Sequence, residues 1–217
     1  GANICYNESQ TVYTLWEHEH ENGRIALNVP GEHNVVNSLA AIALGMEMGL
    51  KIDTIAAGLE AYNGVRRRFE IKGISNDIMV VDDYAHHPTE VIATLQAARE
   101  GWSRRIVAVF QPHLYSRTQE FYEEFASAFK ACDVLIVTDV YPAREQPIDG
   151  VSGAMVSDAA RKTGIKNVYY IPKLDDIAGH LDKIVLAGDM VITIGAGTIW
   201  RYSDSYFEHL KTLEAAA

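Results

Sequence analysis

Five short apolar runs, at residues 78–81, 106–110, 134–137, 168–171 and 190–194, restrict this chain more than any other feature. They do not alternate apolar with polar residues as half-wet strands do, so each is expected to be covered on both faces. Between them, and after the last, residues 88–100, 118–130, 152–163, 174–184 and 198–212 read as helices. Strand and helix in alternation predict an α/β fold with a doubly wound, mainly parallel sheet over residues 65–217.

Residues 1–64 follow another pattern. Thr11 to Trp16 and Arg24 to Val29 alternate apolar and polar side chains, and Asn22-Gly23 between them favours a hairpin turn, so a small antiparallel sheet is expected over residues 1–30. Pro30-Gly31 ends it. Val35, Val36, Leu39, Ile42, Ala43 and Met46 then recur at helical spacing, and a second helix at 52–62 stops at Asn63-Gly64. The expected organisation is therefore an α+β segment at 1–64 followed by an α/β domain at 65–217, a division that 217 residues can fill.

The net charge of -10 repels polyanions, which argues against nucleic acid and anionic membranes as partners. The longest mostly apolar stretch, 39–50, is interrupted by Glu47 and falls short of the roughly 20 residues of a membrane span. Cys5 and Cys132 form neither a disulfide framework nor a metal cluster, which fits a reducing, cytoplasmic setting. A first residue other than Met and the ending Leu213-Glu214-Ala215-Ala216-Ala217 lead us to expect a piece of a longer protein.

The residues able to do chemistry gather where predicted strands end. In Asp82-Asp83-Tyr84-Ala85-His86-His87-Pro88-Thr89-Glu90, Pro88 suits the first position of a helix and keeps His87 extended. Asp83, Tyr84 and His86 thus fall at the carboxyl edge of a sheet, where α/β folds bind ligands. A carboxylate there accepts both hydroxyls of a ribose, or else caps the turn. The next strand ends in Gln111-Pro112-His113-Leu114-Tyr115-Ser116-Arg117-Thr118, with Ser116 or Thr118 as expected helix caps. His86, His113 and Arg117 on successive loops make a pocket suited to a carboxylate.

Other stretches keep two readings. Asn34 and Asn37 share a face of a first helical turn and either match the edge of adenine or cap the helix. Arg66-Arg67-Arg68 either reaches a nucleotide phosphate or is a solvated charge run. Gly195-Ala196-Gly197-Thr198 lacks the third glycine of a dinucleotide loop, since Trp200 stands there, and reads mainly as tight strand-helix packing. His18 and His20 read as a wet hairpin end, and Tyr141-Pro142-Ala143-Arg144-Glu145 as pocket wall or lid.

Gly31-Glu32-His33-Asn34-Val35-Val36-Asn37, Gly64-Val65-Arg66-Arg67-Arg68-Phe69-Glu70 and Asp82 to Glu90 resemble the Mur ligases, as do Gln111-Pro112-His113 with Ser116-Arg117-Thr118 and Tyr141 to Glu145. The resemblance implies a Rossmann-like amino-acid and ATP-binding domain at 65–217, preceded by the end of a central ATPase domain. It implies an ATP- and Mg²⁺-dependent amide former that joins L-alanine to UDP-N-acetylmuramate through an acyl phosphate. By motif, His33 and Asn37 would contact adenine, Asn34 would support that turn, and Asp83 would bind the ribose. Arg68 would reach the phosphates, and Tyr84, His86, His113 and Arg117 would line the amino-acid pocket. Arg68 and His86 are the expected catalytic residues, and no metal ligand is expected in this stretch.

Two departures from the family pattern matter. Leu114 stands where many relatives carry a second Arg, and no Gly-Lys-Ser/Thr phosphate loop occurs in the chain. We therefore expect the carboxyl-terminal portion of such an enzyme, inactive alone, with one face of helix 34–48 exposed or covered by self-association. The rival readings are a recycling ligase that adds a whole peptide to the same sugar nucleotide, and a non-catalytic nucleotide-binding module using Gly195-Ala196-Gly197.

Overall fold

The structure is a computed structural model that describes residues 1–215. The chain forms two compact units, Gly1–Val65 with Gln96–Ser103, and Arg66–Leu95 with Arg104–Ala217.

In the first unit β1 (Ala2–Asn7), β2 (Gln10–Glu17) and β3 (His20–Leu27) form an antiparallel sheet in that order, followed by α1 (Glu32–Glu47) and α2 (Ile52–Glu60). Tyr13, Leu15, Ile25, Leu27, Val35, Ile42 and Ile55 form its core, and the Tyr13 hydroxyl lies 2.6 Å from Ser38 Oγ. The hairpin turns at His18-Glu19, not at Asn22-Gly23 as expected. Leu15 pairs with Gly23 and Trp16 with Glu21, so Asn22 is bulged out of the ladder. Burial chose this register: it sets Tyr13 opposite Ile25 and keeps Leu15 and Leu27 on the core face.

The second unit is a six-stranded sheet built from β4 (Glu70–Ser75), β5 (Ile78–Asp83), β6 (Arg105–Phe110), β7 (Val134–Val137), β8 (Asn167–Tyr170) and β9 (Asp189–Ile194). The strand order is β4-β5-β9-β6-β7-β8, with only β4 antiparallel. Its helices are α3 (Pro88–Gly101), whose residues from Gln96 onward belong to the first unit, α4 (Tyr115–Ala128), α5 (Gly153–Lys162), α6 (Ile177–Ile184) and α7 (Ile199–Ala215). Ile177 and Leu181 of α6, with Ile199, Tyr206 and Leu210 of α7, pack on Val80, Val107, Val109, Val134, Ile136 and Val191. Phe110 points to the opposite face, against Phe125 and Phe129 at 4.9 and 5.0 Å between ring centroids. Both faces are thus covered, as the unbroken apolar runs require, except at the edge strand β8, which is only partly buried.

The periodicity does not predict β4. It joins β5 through a two-residue turn, Asn76-Asp77, with φ of 51° and 57°, the geometry that twists with a hairpin. The last strand, β9, is inserted between β5 and β6. Asp83 and Phe110 each pair with Ile194, so the carboxyl ends of three strands stand side by side. The loops that follow them share one edge at a reversal of strand order, the usual ligand edge of such sheets.

Candidate functional site

The turn after β5 is fixed by two carboxylates. Asp83 is 5% exposed; its Oδ2 accepts the Phe69 amide at 2.8 Å and its Oδ1 the Ala85 amide at 2.7 Å. Both oxygens are engaged below the surface, where Asp83 holds the turn. Asp82 is fully buried and accepts Arg67 Nε at 3.1 Å and Thr193 Oγ1 at 2.7 Å. Burial pushes both carboxyls above their usual range, against the pull of these donors.

The arginine run splits by direction. Arg67, at φ 61°, folds inward: besides Asp82 it donates to the Gly195 carbonyl at 2.6 Å and lies 4.8 Å from the centroid of the Tyr84 ring. This left-handed backbone persists because the Tyr84 amide donates to Arg67 O at 2.7 Å and the Arg67 amide to Glu70 Oε2 at 2.8 Å. Arg68 turns outward with its side chain 51% exposed, 3.5 Å from Glu90 and 5.7 Å from the Tyr84 ring. Of the two, Arg68 is the guanidinium presented at the edge.

Glu90 closes the start of α3, its Oε2 accepting the amides of His86 and His87 at 2.9 and 3.2 Å. This is the half of a capping box that a Glu in the third helical position provides. Burial opposes the charge on Glu90, but the His86 amide, the His86 ring and Arg68 together hold its carboxyl below the usual range. His86 Nδ1 lies 3.0 Å from Tyr84 O. A carbonyl only accepts, so Nδ1 carries a proton, and in the tautomer this selects the lone pair is on Nε2.

The His86 ring meets the Tyr84 ring at 5.2 Å and the His113 ring at 6.1 Å between centroids. His113 Nδ1 is 3.5 Å from Arg117 Nη1, and its ring stacks on Tyr141 at 5.7 Å. Burial, then Arg117 and His86, lower the His113 pKa, with Glu145 opposing them. Tyr84, His86, His113 and Arg117 therefore do come together on one edge.

Neither Ser116 nor Thr118 caps α4 as expected. The cap position is Leu114, at φ 71° and with no side-chain hydrogen bond; Thr118 Oγ1 donates to Leu114 O, while the Ser116 amide and hydroxyl donate to Glu145. Glu145 is thus a site residue that local spacing did not identify, since its partners lie one strand earlier. The Gly195-Ala196-Gly197 turn is packed rather than open. The Gly195 amide donates to Asp83 O, the Ile199 amide donates to Gln111 Oε1, and a Cβ at Gly197 would strike Gln111 and Tyr141.

In the first unit α1 starts after Gly31 at φ 94°, without a side-chain cap. Asn34 turns back to donate to Pro30 O at 2.8 Å, while His33 and Asn37 are exposed one helical turn apart. His18 lies in the hairpin turn and His20 starts β3, and both are exposed. Among the described residues no three His, Cys, Asp or Glu side chains gather to hold a metal. No helix among them is long and apolar enough to cross a membrane.

Residues 67–197 match the family model described as Mur ligase, glutamate ligase domain. The chain belongs to the Mur ligase family. It is 51% identical over 189 residues to the UDP-N-acetylmuramate–L-alanine ligase of Geotalea uraniireducens, covering 87% of this chain and 41% of that protein. With the ligase of the same name from Salinibacter ruber it is 52% identical over 212 residues, 97% of this chain and 45% of the relative. The crystal structure of UDP-N-acetylmuramate-alanine ligase from Thermotoga maritima matches with a TM-score of 0.81 at 30% identity, over 97% of this chain and 45% of that one. The chain thus spans less than half the length of these relatives.

Proposed function

We propose that this chain is the carboxyl-terminal portion of a cytoplasmic, ATP-dependent ligase that joins L-alanine to UDP-N-acetylmuramate to make a peptidoglycan precursor. The observation that carries the reading is the polar edge itself: Tyr84, His86, His113 and Arg117 converge within a chain 52% identical to such a ligase.

In the reaction the lactyl carboxylate attacks the terminal phosphorus of ATP, ADP departs, and an acyl phosphate forms. The alanine amine then adds to the acyl carbon, gives up a proton, and inorganic phosphate leaves. Such transfers need positioning and charge neutralisation more than covalent help. Arg117 supplies a fork for the alanine carboxylate. His113, which turns Nδ1 towards Arg117, offers Nε2-H as a donor, whereas His86 offers the Nε2 lone pair to the ammonium proton. Arg68 neutralises phosphate oxygens, and in the first unit the exposed His33 and Asn37 suit a purine edge, with Asn34 holding their turn. Mg²⁺ carried with ATP would neutralise charge on the phosphate oxygens, and its protein ligands are expected mainly in the portion of the ligase that this chain does not span. Without a phosphate loop the chain is expected to be inactive alone.

The test is to join the chain to the amino-terminal portion of a related ligase and assay amide formation with alanine, glycine, serine and a whole peptide. Alanine-selective turnover supports the reading. Preference for the peptide favours the recycling ligase, and a folded chimera that hydrolyses no ATP with any acceptor rejects both. The rival module at Gly195-Ala196-Gly197 is disfavoured by the packing of that turn, where the Gly195 amide bonds Asp83 O and a Cβ at Gly197 would strike Gln111 and Tyr141.

A further inference from the structure

We infer that Glu145 is a positioning residue: from the connection between β7 and α5, its carboxylate latches the first turn of α4 and so fixes Arg117 beside His113. A pocket role for that pair rests on the proposed function, but the latch does not.

The first turn of a helix leaves its amides without intrahelical acceptors, and here the cap position is occupied by Leu114, which has nothing to offer them. Glu145 replaces the missing cap from outside, with Oε2 3.0 Å from the Ser116 amide and Oε1 on the Ser116 hydroxyl. A negative group at a helix amino end is also favoured by the helix dipole. Arg117 is the next residue.

A second tie runs through the same connection. Tyr141 O accepts the Leu114 amide at 3.0 Å, the Tyr141 amide donates to Pro112 O at 2.8 Å, and the Tyr141 ring stacks on His113. The loop carrying His113 is thus held at its backbone, and the helix carrying Arg117 at its first turn, by two points of one segment.

The rest of α4 cannot substitute for the latch. Phe121 has φ -117° and ψ 16°, which interrupts the helix just after the turn that bears Arg117, and its ring rests on His87 at 5.1 Å. The segment from Tyr115 to Glu120 is therefore a short turn between a kink and a non-helical Leu114, and Glu145 supplies the acceptor at its open end. The charged and titratable groups facing His113 are Arg117 on α4, His86 on the loop after β5, and Tyr141 and Glu145 on the latch segment. Arg117 and His86 disfavour the imidazolium, and Glu145 favours it.

The experiment compares the 217-residue chain with Glu145→Gln and Glu145→Ala by NMR. In E145A the release of Arg117, a larger influence on His113 than Glu145 itself, is expected to move the His113 titration midpoint to higher pH. In both variants the Ser116 amide is expected to lose exchange protection several-fold while the Val107 and Val191 amides in the sheet keep theirs. Unchanged His113 titration and Ser116 protection overturn the inference, as does an equal loss at Ser116, Val107 and Val191, which is general destabilisation. In the joined enzyme, E145Q is expected to raise the KM for alanine with kcat nearly retained. Wild-type turnover with an unchanged KM in E145Q overturns the positioning role, whereas no turnover in the wild-type chimera counts against the ligase reading alone.

Discussion

His86 and His113 lie edge to face with ring centroids 6.1 Å apart, although the strands that deliver them, β5 and β6, are not neighbours. β9 runs between them and ends in Gly195-Ala196-Gly197. The glycines make this closure possible, since a Cβ at Gly195 would approach Gln111 O to 2.6 Å and one at Gly197 would strike the Tyr141 ring. A turn resembling a phosphate loop serves to let two loops meet above it.

Arg117 is one of the charges that depress the His113 pKa, after burial. Substituting Arg117→Met keeps much of the side-chain bulk but removes the cation. The His113 titration midpoint, followed by the imidazole proton shifts, should then move up; a midpoint that stays or falls would show that Arg117 does not act on this ring.

Arg67 and Arg68 should separate cleanly in denaturant titrations. Arg67→Ala leaves the fully buried Asp82 and the Gly195 carbonyl without their guanidinium, a change of the kind that costs about 3 kcal/mol. Arg68→Ala removes an exposed pair with Glu90 and should cost less than about 1 kcal/mol. In the joined enzyme the order reverses for ATP dependence, with R68A raising the KM for ATP in a fold of nearly native stability.

The parallel sheet was legible because strands covered on both faces must be continuously apolar, as Val80-Val81, Val107 to Phe110 and Val134 to Val137 are. The meeting of His86 with His113 was legible in part, since each follows such a run. Non-local competition decided what was not. The Asn22-Gly23 pair has strong turn chemistry, yet the core partners of Tyr13 and Leu15 moved the turn to His18-Glu19. Asp83 was legible as a residue of the sheet edge, but its bond from the Phe69 amide, delivered from before β4, was not. Glu145 caps a helix that precedes it in the chain by a whole strand, and no local pattern encodes that.

Acid should weaken the second unit partly through Glu90. Its folded pKa is held below the usual carboxylate range, so its contribution is fully present above the unfolded value of about 4.3 and is lost as pH falls through the folded value. Asp82 and Asp83 are raised and act with the opposite sign: their contribution is greatest at low pH and is lost as pH rises through their folded values. Glu90→Gln should therefore lower stability at pH 7 and reduce the wild-type loss between about pH 5 and pH 3. A difference between the two proteins that is constant with pH would exclude this.

Gly195→Ala tests the closure of the loops directly. Gly195 has φ 149°, which a Cβ disfavours, and the added methyl would meet Gln111 O, so a loss of more than about 1 kcal/mol is expected in equilibrium unfolding. The His86 and His113 resonances should shift with it, while those of His18 and His20 in the first unit stay in place. A neutral substitution would mean that the loops after β5 and β6 close without the glycine.

The first unit carries an exposed apolar stripe along α1 and the residue that ends it: Val36, Leu44 and Met48 are 61%, 63% and 70% exposed. Val36 and Leu44 lie two helical turns apart with Ala40 between them, while Val35, Ser38 and Ile42 face the core. Apolar surface that is contiguous rather than scattered drives association. Sedimentation velocity of the isolated chain should show a concentration-dependent oligomer, and Leu44→Glu should shift it to monomer because the charge would have to be buried in the contact. A wild-type chain that sediments as a monomer at high concentration, with α1 ordered, would show that water alone covers this stripe.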